Sequence, residues 1–278
     1  MLQQTSPESS GLQFTVPTKS AVDQLAARLE PQSRITVVSD AGVSAASGIP
    51  TLRGPGGLWR THRPEQLATP EAFRRDPTLV WEWYDWRRQQ VVACEPNAAH
   101  DVLAAWSRRY GGFTVITQNV DGLHERAGTR DVIRFHGSIW ELGCWDGCAD
   151  APRRWRDNIT PFPKLPPPCP YCGGLTRPGV VWFGEPIDDD VISRSLEATD
   201  CDLFLTVGTS ALVHPAAGLL QEAKARGAFT VEVNLESTPA SDLVDLTCTD
   251  RPNGSSSTSR VLDAATGASS LRTDSDRL

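Results

Sequence analysis

Residues 35–54 read ITVVSDAGVSAASGIPTLRG. The β-branched run Ile35–Val38 shows no polar alternation, which marks a short strand buried on both faces, as in a parallel sheet. It breaks at Asp40 into small residues: Ala41, Gly42, Ser44, Ala45, Ala46, Ser47 and Gly48. Such residues let backbone N–H groups come close to an anion, and a helix starting there adds its dipole. The same residues also make an ordinary tight strand-to-helix turn, and GxGxxG is absent. Asp40 places a carboxylate where an anion-cradling loop would carry glycine.

Outward from this stretch, strands and helices alternate. Helices are expected over 21–30 (AVDQLAARLE), 76–94 (DPTLVWEWYDWRRQQVVAC, strongly amphipathic), 97–111 and 216–227. A strand is expected at 34–39; strand, polar loop and helix start over 113–128; strand, loop and strand over 131–144; strands within 202–210 and 230–236; and a last short one at 242–247. Apolar strands alternating with helices predict a doubly wound, Rossmann-like α/β fold whose parallel sheet binds ligand beyond the carboxyl ends of its strands. The proline-rich stretch ITPFPKLPPPCPYCGG (159–174) is unlike its neighbours and marks an inserted module. The expected organisation is a disordered N-terminus (1–19), a main domain (20–250) with insertions at about 57–95 and 141–180, and a polar mobile tail (251–278).

The 278 residues suffice for a sizeable core, and a net charge of -7 argues against nonspecific grip on nucleic acid or anionic membrane. No apolar run approaches spanning length. The opening MLQQTSPESSGLQF has neither the basic start nor the apolar core of a secretory signal, so a cytoplasmic protein is expected.

Four of the seven cysteines, Cys144, Cys148, Cys169 and Cys172, form two close pairs. With Gly173-Gly174 behind them they match a zinc ribbon, and the absence of a further ligand type points to a structural ion. The first pair is C-x3-C, so its knuckle must differ in shape from the commoner C-x2-C. In TQNVDGLHERAG, Gln118, Asn119 and Asp121 offer amide and carboxylate partners to a polar ligand, or else make Asx turns and caps. FHGS places His136 at a strand end, where an imidazole acts as a base or serves as a hydrogen-bonded structural residue. In WYDWRRQQ, Tyr84 and Arg87 share a helical face and together suit a carboxylate, although the same face would serve as plain solvated surface.

Together these motifs resemble the sirtuins, NAD-dependent protein-lysine deacylases, from about Ser33 to about Leu246. DAGVSAASGIPTLRG resembles the family's cofactor loop, TQNVDGLH its nicotinamide and ribose segment, FHGS its catalytic histidine motif and GVVWFGEP its substrate-pairing strand. VGTS and VNLE resemble its ribose and adenosine contacts. The resemblance implies NAD and one structural zinc as cofactors, acyl-lysine proteins or peptides as partners, and a monomer. It implies that the acyl oxygen attacks the nicotinamide ribose, with His136 taking a ribose hydroxyl proton and Asn119 positioning ribose and water. Ala41, Gly42, Ser44, Ile49, Arg53, Gln118 and Asp121 would hold the nicotinamide half and diphosphate. Gly208, Thr209, Ser210, Asn234, Leu235 and Glu236 would hold the adenosine half. Val181, Trp182, Phe183 and Gly184 would take the substrate peptide as an added strand. Tyr84 and Arg87 match the Tyr-x-x-Arg signature of the branch that removes negatively charged acyl groups, implying desuccinylase and demalonylase activity above deacetylase.

Asp40 replaces the first glycine of the family's Gly-Ala-Gly, and Leu52 replaces a phenylalanine. A carboxylate about 4 Å from a phosphate repels it by roughly 1 kcal/mol in water and several-fold more in a cleft, whereas one turned outward does little. The tail also lacks the family's terminal amphipathic helix. Rival readings are ADP-ribosyl transfer or NAD glycohydrolysis, and a nonenzymatic zinc-stabilised NAD-binding protein.

Overall fold

The computed structural model describes residues 19–51, 63–210, 213–249 and 261–262. The chain enters through α1 (Lys19–Ala26), β1 (Arg34–Ser39) and the short α2 (Ala41–Ala45). Three helices follow, α3 (Pro64–Leu67), α4 (Pro70–Arg75) and α5 (Pro77–Val92), then α6 (Ala98–Arg109). Thr69 and Asp76 cap α4 and α5, each followed by a proline in the first turn, where its missing N–H costs nothing. β2 (Gly112–Thr117), α7 (Leu123–Arg126) and β3 (Val132–Arg134) return to the sheet. β4 (Gly137–Cys144), β5 (Trp155–Arg156) and β6 (Thr176–Val180) form a separate piece. The chain then runs through α8 (Asp189–Glu197), β7 (Leu203–Val207), α9 (Gly218–Ala225), β8 (Phe229–Asn234) and β9 (Leu246–Thr249).

The main sheet has the order β3-β2-β1-β7-β8-β9, and every pairing is parallel. The chain works outward from β1 on one side, then jumps to β7 and works outward on the other. The switch point therefore lies between β1 and β7, where the order reverses and a crevice opens beyond the strand ends. The unalternated run in β1 is explained by burial on both sides. Ile35 and Val37 pack with α1 and α6 on one face, and Val38 packs with α9 on the other.

The second sheet, β5-β4-β6, is antiparallel and packs with α4 and α5 around Phe73, Trp81, Tyr84, Ile139, Val180 and Trp182. This cluster sits against the strand ends of the main sheet and forms the other wall of the crevice. The helix expected to be two-faced, α5, buries one face (Val80, Trp81, Trp83, Tyr84, Asp85, Arg88 and Val91) and exposes the other, which carries Leu79, Trp86 and Val92; the charged Asp85 and Arg88 lie on the buried face. Arg88 is held there by Asp157, at 2.7 Å, and by the carbonyls of Ile139 and Ile159.

Two expectations change. The first helix ends at Ala26, followed by a turn at Ala27 and Arg28 and irregular chain at Leu29 and Glu30. Within the stretch read as a polar mobile tail, Val261 and Leu262 are helical and buried in the same cluster as α1 and α6, because both are apolar residues that complete that face. The other residues of the two expected termini, apart from Lys19, lie outside the described residues. Among the described residues no helix is long and apolar enough to cross a membrane.

Candidate active site

A cleft of about 890 Å³ opens where the ends of β1, β2, β3, β7 and β8 face α5 and the second sheet. Its walls include Ala41, Gly42, Ser44 and Ile49 after β1; Gln118, Asn119 and Asp121 after β2; and His136 after β3. Gly208, Thr209 and Ser210 follow β7, and Asn234, Leu235 and Glu236 follow β8. Tyr84, Arg87, Val181, Trp182, Phe183 and Gly184 close the opposite side. Of the sequence-predicted cleft residues, Arg53 alone lies outside the described residues, as does Leu52.

Gly42 and Gly208 meet at the switch point. The Gly42 N–H donates to the Gly208 carbonyl at 2.9 Å. A Cβ on Gly42 would lie 2.6 Å from that oxygen, and one on Gly208 would lie 2.5 Å from the Val43 nitrogen. Gly208 also has φ +62°, a conformation open to glycine at little cost. These glycines serve backbone-to-backbone closure, which brings the loops after β1 and β7 together under the cleft. Asn234 adds a third loop, donating from Nδ2 to the Thr209 carbonyl at 2.7 Å.

Asp40 has φ −141° and ψ −168°, extended backbone that any residue adopts, so its position demands no glycine. Its carboxylate turns back on its own loop, and Oδ1 accepts from the Ala41 N–H at 2.8 Å. The sequence left its direction open. In this structure the acid occupies the N–H at the start of α2, as its N-cap.

His136 is fixed at the mouth of β4. Its backbone carbonyl accepts from Val181 N–H at 3.0 Å, and Gly137 (φ +77°) follows with no space for a side chain, since a Cβ there would lie 2.2 Å from the Gly179 carbonyl. Nδ1 lies 3.2 Å from the Gln118 carbonyl. A carbonyl only accepts, so Nδ1 carries the proton and Nε2 keeps its lone pair. Burial pushes the imidazole below its ordinary value, with the Gln118 bond pulling the other way, and so keeps it in the basic form at neutral pH.

Asn119 donates from Nδ2 to the Asp40 carbonyl (3.0 Å) and the Ser44 hydroxyl (3.1 Å), and Ser44 Oγ donates to Asp121 Oδ2 at 2.8 Å. Asp121 Oδ1 accepts from Leu123 N–H at 2.8 Å. Burial raises the Asp121 carboxyl above its usual range against these hydrogen bonds. The β1 and β2 loops are thus tied by a chain of three polar side chains whose ends face the cleft.

On the opposite wall, Tyr84 and Arg87 stand side by side, as their spacing predicts. The Tyr84 hydroxyl accepts from the Trp182 indole N–H at 2.9 Å, and burial pushes the phenol up to about 12. The Arg87 guanidinium lies over the Trp83 ring, 5.0 Å from its centroid. Burial lowers it from its ordinary value, opposed by Tyr84 and Asp121. Among the described residues no carboxylate comes within ion-pair distance of Arg87.

Val181–Gly184 forms no strand. The Val181, Trp182 and Phe183 N–H groups are already taken by the His136 carbonyl, Glu185 Oε2 and the Ala68 carbonyl. An added peptide strand is left with the Gly184 N–H and the segment's carbonyls, of which that of Trp182 already accepts from the Glu185 N–H at 3.0 Å.

The four predicted cysteines converge, all their sulfurs lying within 4.8 Å of one another. Tetrahedral zinc with bonds of about 2.3 Å requires sulfurs about 3.8 Å apart. The Cys144–Cys172 and Cys148–Cys169 separations are 3.8 and 4.0 Å, so the residues fit the ion. Gly147 (φ +60°) turns the longer first knuckle, and Gly173 (φ +75°) turns the second. Backbone N–H groups of Cys148 and Gly174 point at the Cys144 and Cys172 sulfurs.

The model of the Sir2 family matches residues 40–215. The chain belongs to the Sir2 family. It is 50% identical over 213 residues to an NAD-dependent protein deacylase of Aquifex aeolicus, covering 76% of this chain and 87% of that one. It is 49% identical over 207 residues to NAD-dependent protein deacylase 1 of Pseudomonas aeruginosa, covering 72% and 82%. A Sir2 homologue solved with NAD superposes with a TM-score of 0.77 at 38% identity, covering 91% of this chain and 94% of that one. The doubly wound sheet, NAD as cofactor and the four-cysteine zinc site all accord with this Sir2 membership.

Sequence reasoning missed several residues of the Sir2 cleft. Ala68, Ile187, Ile192, Val213 and His214 also line it. Nothing local marks Ala68 or Ile192, and His214 carried no motif. The Trp182–Tyr84 bond, spanning 98 positions, had no sequence signal either.

Proposed function

We propose that this Sir2-family chain removes succinyl and malonyl groups from lysine side chains of proteins or peptides, and acetyl groups less well, consuming NAD and releasing nicotinamide and O-acyl-ADP-ribose. The coarser activity, NAD-dependent protein deacylase, follows from the family and from the names its relatives carry. The finer preference rests on one observation: Arg87, a largely desolvated cation in the cleft wall, has no carboxylate partner among the described residues. Leaving such a charge unpaired costs several kcal/mol, and an acyl chain ending in a carboxylate offsets this. An acetyl group ends short of the guanidinium and leaves it unmatched.

Bound NAD supplies the electrophilic ribose carbon and the nicotinamide leaving group. His136 Nε2, with its lone pair free, accepts a hydroxyl proton within the cleft, and the Gln118 carbonyl holds the ring in that tautomer. Asn119 and Ser44 orient polar groups at the β1 end, and Asp121 offers a fixed acceptor for an amide. The cysteine quartet holds zinc away from this chemistry and stabilises the wall that carries β4 and β6.

The test is mass spectrometry of succinyl-, malonyl- and acetyl-lysine peptides incubated with protein and NAD, with His136→Ala as the dead control. Arg87→Met should cut succinyl kcat/KM by about a hundredfold, as expected for a lost buried charge pair, while acetyl turnover changes little. Equal losses on both substrates would refute the acyl assignment. ADP-ribosylated protein without deacylated lysine would refute the reaction.

A further inference from the structure

The acyl wall contains a tryptophan whose polar atom is turned inward. Trp182 is 2% exposed, and its indole N–H reaches the Tyr84 hydroxyl, itself on a residue only 4% exposed. The indole is held from both sides. Its own backbone N–H donates to Glu185 Oε2 at 2.9 Å, Arg177 pairs with both oxygens of Glu185, and the Arg177 guanidinium stacks 4.0 Å from the indole centroid. The Trp182 ring thus has little freedom to turn away.

An indole N–H only donates, whereas a phenol both donates and accepts. The phenolic hydrogen lies near the ring plane, with two alternative orientations. With Trp182 donating on one side, the Tyr84 hydrogen is confined to the other. Among the described residues that hydrogen has no acceptor, while its ring lines the cleft beside Arg87. A buried donor without an acceptor is costly, and the ligand that removes the cost must accept there.

We propose that Trp182 is a positioning residue for acyl selectivity: its indole N–H fixes the Tyr84 hydroxyl as a donor aimed at the distal carboxylate of an acidic acyl chain. The proposal rests on the acidic-acyl reading above and adds to it the group that orients the phenol. The elevated phenol pKa supports it, because the hydroxyl keeps its hydrogen throughout the working pH range.

The experiment compares KM and kcat for succinyl- and acetyl-lysine peptides in Trp182→Phe, Tyr84→Phe and the double variant. Tyr84→Phe should raise succinyl KM by about tenfold, the effect of losing one hydrogen bond to a charged group. Trp182→Phe should raise it by about threefold or more and lower the succinyl-to-acetyl ratio of kcat/KM by the same factor. In the Tyr84→Phe background, Trp182→Phe should add nothing to the succinyl-to-acetyl ratio. If the smaller phenylalanine impairs folding, a benzothienyl-alanine at position 182 keeps the ring and lacks only the donor, and the same outcomes apply. Equal losses on both substrates, or an undiminished Trp182 effect without the Tyr84 hydroxyl, would overturn the proposal. A wild-type enzyme with no succinyl preference would instead overturn the acyl reading itself.

Discussion

His100 and His124 are 0% and 1% exposed, with ring centroids 4.9 Å apart. His100 Nδ1 accepts from the Asn97 N–H as part of the α6 capping box, and His124 Nε2 meets the Ser39 hydroxyl at 2.8 Å. The remaining nitrogen of each ring has no hydrogen-bond partner among the described residues. Burial pushes His100 down to about 4 and His124 down to about 3, the second also through repulsion from the first. Both are therefore neutral when folded and titrate near 6.5 when unfolded. Their contribution is fully present above pH 6.5 and is lost as pH falls below it, because the unfolded chain then binds protons that the folded one refuses. At about 1.4 kcal/mol per pH unit per group, the loss by pH 5 is about 2 kcal/mol for each ring, or about 4 kcal/mol together. Against a typical stability of about 5–15 kcal/mol this is a large fraction. Urea unfolding at pH 8 and pH 5 measures it. His100→Asn keeps the cap acceptor and His124→Gln keeps the contact to Ser39, so each should remove about 2 kcal/mol from the pH difference, whatever its stability at pH 8. His136 and Asp121 also titrate with shifted values, but they are common to all the proteins and cancel in the comparison. A double variant with the same pH dependence as wild type would refute the reasoning.

Asp40→Gly should tighten NAD by about tenfold in calorimetry, because it frees the Ala41 N–H and removes a negative charge from the diphosphate loop; unchanged affinity would show the carboxylate to be harmless where it lies. Cys169→Ser should lower zinc content below one per chain by metal analysis and depress the melting temperature, since binding energy at such a site is folding energy. Gly208→Ala should cost about 3 kcal/mol and abolish NAD binding, because its Cβ would lie 2.5 Å from the Val43 nitrogen at positive φ. Gly218→Ala, where nothing lies within 4 Å, should leave stability unchanged or raise it slightly.

Local pattern was enough for the architecture. The β-branched run at 35–38, repeated in kind at β2, β7 and β8, has only one way to be buried on both faces, and the loops after those strands then share one edge by geometry. The cysteine spacing likewise needed only chain length and thiol chemistry to converge. Tertiary structure decided what periodicity does not encode. Asp40 faces its own loop, Gly42 is required by Gly208 some 166 positions later, Trp182 faces Tyr84, and three N–H groups of the expected peptide-pairing segment are already engaged. Propensity acts over a turn or a strand. A hydrogen-bond partner or a close backbone approach across the switch point depends on how whole layers pack, and so appears only when they are assembled.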